Sequence, residues 1–334
     1  MTRVVYMGTP AYAVPALEGL LAAGYEVPLV VTQPDRPVGR AKRLTPPPVK
    51  EKAVRFGLDV FQPERIRDEA ALERIRAAAP EIIVTAAYGQ FLPRRLLELP
   101  PKGALNLHAS LLPLYRGGAP IQRAIMDGAQ ETGVTLMVMV PKMDAGPIVA
   151  QVKTAIGPRE TAGALTARLA ELARDLLLDT LPAYVSGRID PVPQDEAAAT
   201  FAPNLTRADE RLDFCLPAEV LFRRLRALLP EPGAYLPLLG TDGTRPVKIW
   251  WAEPAEGNAL DAERAPVPPG TLIRLAPDGI ILSAGRGALK LIEVQPPGKR
   301  RMSAREWANG QPHWKAGLRL VQTENCNPED PNAG

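Results

Sequence analysis

Three side chains that can together move an acyl group lie within forty residues: a carboxamide at Asn106, an imidazole at His108 and a carboxylate at Asp144. The first two fall in Ala104-Leu105-Asn106-Leu107-His108, whose apolar pattern predicts a short buried strand. Side chains two apart on a strand share a face. Asn106 and His108 therefore point the same way, with Leu105 and Leu107 packed behind them. Asp144 sits in the turn 141–147, after an apolar, β-branched run at 134–140 predicted to be a neighbouring interior strand. An amide can donate to a developing oxyanion, an imidazole can hold or move a proton, and a carboxylate can fix the imidazole's tautomer. No Ser or Cys stands in register as a nucleophile, which suits direct acyl transfer rather than a covalent acyl-enzyme. The same spacing also allows plainer roles: a structural histidine, an asparagine capping a turn, an aspartate bonding its own loop.

Around this stretch the chain alternates strands and helices. Strand 3–7, the turn Gly8-Thr9-Pro10, helix 11–23 and strand 26–32 form a β-α-β start, the mark of a parallel sheet with helical crossovers. Helix 49–56, strand 59–62, helix 68–78 and the largely apolar strand 81–86 continue it; the last suits the sheet centre. Tyr88-Gly89-Gln90 follows at the carboxyl edge, where open α/β sheets bind ligands. Helix 121–127, strand 148–155 and the leucine-striped helix 161–186 complete a Rossmann-like domain at 1–189. A Pro-, Asp- and Ala-rich stretch at 190–204 reads as a linker. Beyond it, helix 217–229 and five short strands (234–239, 247–252, 270–275, 279–283, 288–294) predict a smaller OB-like β-barrel at 205–322. Turn signals such as 241–244 separate those strands, and 323–334 reads as a disordered tail. The expected fold class is thus α/β: a Rossmann-like, mostly parallel sheet with helices on both faces, plus a C-terminal OB-like barrel.

Composition narrows the classes. No apolar run approaches the roughly 20 residues that span a bilayer, so no membrane role is expected. The two cysteines, Cys215 and Cys326, show no metal-ligand spacing and no disulfide framework, so a reducing, cytoplasmic compartment is expected and no metal. The chain lacks G-x-G-x-x-G, which disfavours NAD and leaves a dehydrogenase a weak alternative. A net charge of +3 does not by itself imply nucleic acid. The charge is uneven, however. The proline-punctuated loop 33–50 carries Arg36, Arg40, Lys42, Arg43 and Lys50 against Asp35 alone, and Lys299-Arg300-Arg301 forms a second basic run. Either is a solvated surface or a contact for phosphates.

Asn106-Leu107-His108-Ala109-Ser110-Leu111-Leu112-Pro113, then Tyr115-Arg116-Gly117-Gly118-Ala119-Pro120 and Met143-Asp144-Ala145-Gly146-Pro147, resembles the formyltetrahydrofolate-dependent formyltransferases. The resemblance implies that Asn106, His108 and Asp144 are catalytic and that Ser110, Leu111, Leu112 and Pro113 bind folate. It also makes the loop Tyr88, Gly89, Gln90 part of the pterin pocket. Ala109 departs from relatives that often carry Gly or Pro there. The loop Gln33-Pro34-Asp35-Arg36-Pro37-Val38-Gly39-Arg40 and the run Gln295-Pro296-Pro297-Gly298-Lys299 resemble features of the tRNA-directed members. By that resemblance Arg40, foremost, and Lys42 and Arg43 contact tRNA; Arg36 and the basic run Lys299, Arg300 and Arg301 are expected to flank the same polyanion by their charge. The implied co-substrate is 10-formyltetrahydrofolate, the implied acceptor is initiator methionyl-tRNA, and a monomer is expected. Competing acceptors in the superfamily are an amino sugar nucleotide, glycinamide ribonucleotide or water. A non-catalytic nucleic-acid-binding protein is the alternative from another class. It leaves the trio unexplained, and at 5% aromatic residues the chain is poor in stacking platforms.

Overall fold

A computed structural model describes residues 2–38, 42–239, 246–255, 267–323 and 326. Arg40, the turn at 241–244 and most of the tail at 323–334 lie outside the described residues. The chain forms two compact units. The first comprises Met1–Ile121, Gln130–Ile156 and Ala164–Asn204; the second comprises Gln122–Ala129, Gly157–Gly163 and Leu205–Gly334.

Residues up to 204 run β1 (Arg3–Gly8), α1 (Val14–Ala22), β2 (Glu26–Val31), β3 (Arg36–Val38), β4 (Arg43–Thr45), α2 (Pro48–Arg55), β5 (Val60–Phe61), α3 (Glu69–Ala77), β6 (Ile82–Ala86), α4 (Arg94–Leu97), β7 (Ala104–His108), α5 (Pro120–Asp127), β8 (Glu131–Val138), β9 (Ile148–Ala155) and α6 (Ala162–Val185), with α5 from Gln122 on and the first two residues of α6 belonging to the second unit and the rest to the first. Seven strands make one sheet in the order β5-β2-β1-β6-β7-β8-β9. Pairing is parallel from β5 through β7 and antiparallel across β7-β8-β9. Every residue of β6 is buried, as expected of a strand covered on both faces. In β9 exposure alternates from Gln151 onward, so this edge strand keeps one face in water. Strand β8 starts earlier than its apolar run because Glu131, Thr132 and Gly133 pair with Ala155, Thr154 and Lys153. Along α6 the fully buried positions are Leu165, Leu169, Leu177 and Leu181. Their spacing by multiples of four lays them in one buried stripe along the helix.

Two expectations for the first unit change. The loop 33–50 is not structureless: β3 and β4 form an antiparallel ribbon with Arg36 opposite Thr45 and Val38 opposite Arg43. Its base is anchored where Asp35 accepts from Lys50 at 2.8 Å and from Gln62 at 2.7 Å. The second change concerns 190–204. It belongs to the first unit and runs along it as a strap: Val192 and Ile148 exchange backbone bonds of 2.8 and 2.7 Å, and Thr200 to Ala202 bond with 113–119.

The second unit holds α7 (Ala218–Leu228), β10 (Ala234–Leu236), β11 (Val247–Pro254), β12 (Leu272–Ala276), β13 (Gly279–Ser283), β14 (Ala288–Gln295), β15 (Met302–Ser303) and α8 (Ala304–Asn309). The antiparallel order is β10-β11-β14-β13-β12, with β15 beside β14. The open ends, β10 and β12, are joined by residues 318–322. Leu239 donates to Leu320 and Gln322 to Pro237, while Leu320 donates to Gly270 and Leu272 to Leu318. This segment acts as the closing stave, covering edges that would otherwise be open. Helix α8 starts on a serine N-cap, with Ser303 Oγ accepting from Glu306 N at 3.0 Å. Past the stave, Cys326 returns beside Cys215 and the two are disulfide-bonded, 111 residues apart in sequence. This corrects the reading that the cysteines are unrelated, and removes that argument for a reducing compartment. Among the described residues no helix is long and apolar enough to cross a membrane.

The stave makes a checkable prediction. Truncation after Gly317 bares the backbone edges of β10 and β12 and removes buried Val321. The truncated protein is expected to melt lower and to aggregate on heating, in calorimetry and light scattering; an unchanged melting curve refutes the closing role.

Candidate active site

Strand β7 delivers Asn106 and His108 between parallel β6 and antiparallel β8, with Thr85 and Met137 flanking Asn106 and Thr135 beside His108. Their side chains share the face that strand alternation requires. The Asn106 amide is oriented by Thr85, whose Oγ1 donates to Asn106 Oδ1 at 2.7 Å. With the oxygen so engaged, the amide N–H groups remain to donate elsewhere.

His108, buried at 6% exposure, has both ring nitrogens addressed. Nε2 lies 3.0 Å from the carbonyl of Tyr115. A carbonyl only accepts, so Nε2 carries the proton. Nδ1 faces Asp144 Oδ1 at 3.7 Å, an ion pair when the ring is doubly protonated and too long for a direct hydrogen bond. The tautomer is therefore set by the Tyr115 carbonyl, with Asp144 on the opposite side. The other carboxylate oxygen of Asp144 accepts from Gly117 N at 2.9 Å. Gly117 needs to be glycine: its φ is +128°, and a Cβ there would meet Ala202 O at 2.5 Å. Asp144 itself takes the left-handed conformation at φ +49°, which costs about 1 kcal/mol or more for a side chain with a Cβ.

That strain is held by neighbours in the strap. Gln194 Nε2 donates to the carbonyls of Asp144 at 2.8 Å and Gly146 at 2.7 Å. Its Oε1 accepts from Arg116 Nη2 at 2.8 Å and Nε at 3.1 Å. Arg116 is 2% exposed and also bonds Glu196, which takes Lys142 as a further partner. The hydrogen bonds from Arg116 and then Lys142 hold the Glu196 carboxyl down at about 2.

The expected folate segment is pinned by its own framework. Ser110 is fully buried and its Oγ donates to Leu114 O at 2.6 Å. Thr135 Oγ1 donates to Ser110 O and accepts from Leu112 N, while Gln151 Nε2 donates to Leu112 O. Leu112 is buried, and Leu111 and Pro113 are partly open. In the expected pterin loop the Tyr88 ring is buried in the core, where burial pushes its hydroxyl pKa up, and that hydroxyl has no hydrogen-bond partner among the described residues. The Tyr88 carbonyl accepts from Thr9 and Gln33, Gly89 has φ +95°, and the Gln90 side chain holds the backbone of Pro63, Glu64 and Ile66. Of the basic residues, Arg36 lies 3.7 Å from Glu64, while Lys42 and Arg43 are exposed on the ribbon. Lys299 is exposed; Arg300 pairs with Glu306 at 2.6 Å; Arg301 pairs with Glu293 and stacks over Trp250 at 4.6 Å. Lys248 covers the same ring at 4.4 Å. The sequence reading did not single out Thr85, Arg116, Gln194 or Glu196 for this site. A lone arginine between a turn and two glycines was the one available signal.

A formyl transferase family model matches residues 2–181, and a formyl transferase C-terminal domain model matches 204–312. The chain belongs to the formyl transferases. The methionyl-tRNA formyltransferase of Halalkalibacterium halodurans is 47% identical over 309 residues, covering 92% of this chain and 94% of that one. That of Bacillus licheniformis is 47% identical over 321 residues, covering 96% and 98%. At this identity and coverage the chain falls among the methionyl-tRNA formyltransferases. Solved structures share the fold at lower identity. WlaRD, a sugar 3N-formyl transferase, gives a TM-score of 0.62 at 15% identity, covering 90% of this chain and 99% of that one. HypX from Aquifex aeolicus, in complex with tetrahydrofolic acid, gives 0.62 at 17% identity; the chain is covered to 96% and spans about half (51%) of HypX.

Glu196 yields a pH prediction. A carboxylate depressed from 4.5 to about 2 contributes stability that is full above pH 4.5 and is lost as pH falls towards 2. The melting-temperature gap between wild type and Glu196→Gln should therefore be constant above pH 5 and close between pH 4.5 and 2. A gap independent of pH rejects the pairing.

Proposed function

We propose that this enzyme moves the formyl group of 10-formyltetrahydrofolate to the α-amino group of methionine on initiator tRNA, using Asn106, His108 and Asp144. The observation that carries the site is the approach of His108 Nδ1 and Asp144 Oδ1 to 3.7 Å beside an Asn106 amide whose oxygen is already occupied. The likeness to methionyl-tRNA formyltransferases over nearly the whole chain supports the acceptor.

A free α-amine has a pKa of about 7.7–8.0, and esterifying the carboxyl lowers it, so a neutral nucleophile is available near pH 7. The amine nitrogen attacks the formyl carbon and the carbonyl becomes an oxyanion. The Asn106 N–H groups, and His108 when its Nδ1 is protonated, donate to that oxygen; donors placed in advance need no reorganisation as charge develops. Asp144 stabilises the imidazolium and accepts the amine's proton, directly or through water. The carbonyl then re-forms, the folate nitrogen leaves and takes up the proton that Asp144 had accepted, and the formyl group has changed nitrogens.

Ser110 to Pro113 and the backbone of 88–90 line the folate side in this reading. Arg36, Lys42 and Arg43 of the basic ribbon, together with Arg40 and the turn with Lys299 to Arg301, engage the tRNA backbone. Trp250, between Lys248 and Arg301, adds a flat ring to that second patch. The enzyme acts as a monomer in the cytoplasm, where charged initiator tRNA is used.

Asn106→Ala is expected to lower kcat by about 10²–10³-fold, the usual loss for one oxyanion donor. His108→Ala and Asp144→Ala should be at least as slow. Formyl transfer from formylfolate to charged initiator tRNA measures all three; folded variants with near-normal rates would falsify the assignment. Arg40→Ala and Lys42→Ala should raise KM for tRNA with folate binding intact, and tRNA affinity should fall steeply with salt through counterion release. Equal use of free methionine as acceptor, insensitive to salt, contradicts the tRNA role.

A further inference from the structure

We infer that Gln194 is a positioning residue for the transfer reaction, acting through Asp144. The inference rests on reading Asp144 as one of the catalytic trio.

Both N–H groups of the Gln194 amide are spent on the turn that carries Asp144, one on the carbonyl of Asp144 and one on that of Gly146. Its oxygen is spent on Arg116. Nothing of the amide is left for a substrate, so any effect on rate must pass through the turn. The turn needs such a hold. Asp144 sits at φ +49°, outside the region its Cβ prefers, and its carboxylate must address His108 and Gly117 together. The hydrogen bonds from Gln194 grip the backbone at Asp144 itself and two residues on. Lys142, at the start of the same turn, bonds Glu196, so the strap grips it a third time. A side chain at 194 that kept its bulk but lost its donors would leave the carboxylate free to drift. An ångström of misplacement can cost about a hundredfold in rate.

An amide and a carboxylate at 194 separate this role from plain support of the fold. Gln194→Glu keeps an oxygen for the buried Arg116 and loses both donors to the turn. Gln194→Met loses both functions at similar bulk. On the inference, Gln194→Glu melts lower than wild type and Gln194→Met lower still, and both lose kcat by tenfold to a hundredfold with KM for formylfolate and tRNA within twofold. Single-turnover rates in an Asp144→Asn background complete the cycle: Gln194→Glu should there cost less than twofold more. A normal kcat in Gln194→Glu with a slow Gln194→Met overturns the inference, since support of Arg116 would then be the whole role. An undiminished cost in the Asp144→Asn background overturns it too, because the action would not run through Asp144. Near-normal transfer by Asp144→Asn alone refutes the underlying reading, and that result is visible without any change at 194.

Discussion

The first unit depends on how one buried guanidinium is satisfied. Arg116 follows the folate-side turn and is almost wholly enclosed. An arginine keeps its charge in proteins, and leaving such a group unmet costs about 3–5 kcal/mol. Its partners, Gln194 and Glu196, come from a stretch whose large apolar side chains, Val192 and Phe201, stay exposed. That demand draws 190–204 onto the sheet. Once there, the strap also pairs with 113–119 and holds the Asp144 turn. One charge thus couples the three segments that frame the trio: the turn after β7, the turn after β8 and the strap.

Within that frame the backbone does much of the orienting. The Tyr115 carbonyl assigns the proton on His108, and the Gly117 N–H fixes one oxygen of Asp144 so that the other faces the ring. Thr85 decides which end of the Asn106 amide is free. Such placement by groups that do not themselves react keeps donors ready for charge that appears only during the reaction.

What the sequence made legible followed from period and motif. Strand β7 and strand β9 were found to the residue because their apolar pattern ends at clear breakers. Asn106 and His108 were paired on one face by the strand period alone, and Asp144 by its turn. The parallel half of the sheet followed from the β-α-β start. What stayed hidden was held by polar bonds or by chain return. Residues 190–204 have no apolar rhythm, so a strap fastened by Gln194, Glu196 and backbone pairing read as a linker. The ribbon at 36–45 has strands of only three residues, too short for alternation to register. Cys215 and Cys326 are far apart in sequence, and only the path of 318–322 brings them together.

The closing stave sets an order of events during synthesis. Residues 1–204 contain much of what the trio needs, so that sheet can assemble while the chain is still being translated. The barrel cannot seal until residue 322 has cleared the ribosome, since β10 and β12 have no other joint among the described residues. Between those moments the nascent second unit shows a bare strand edge.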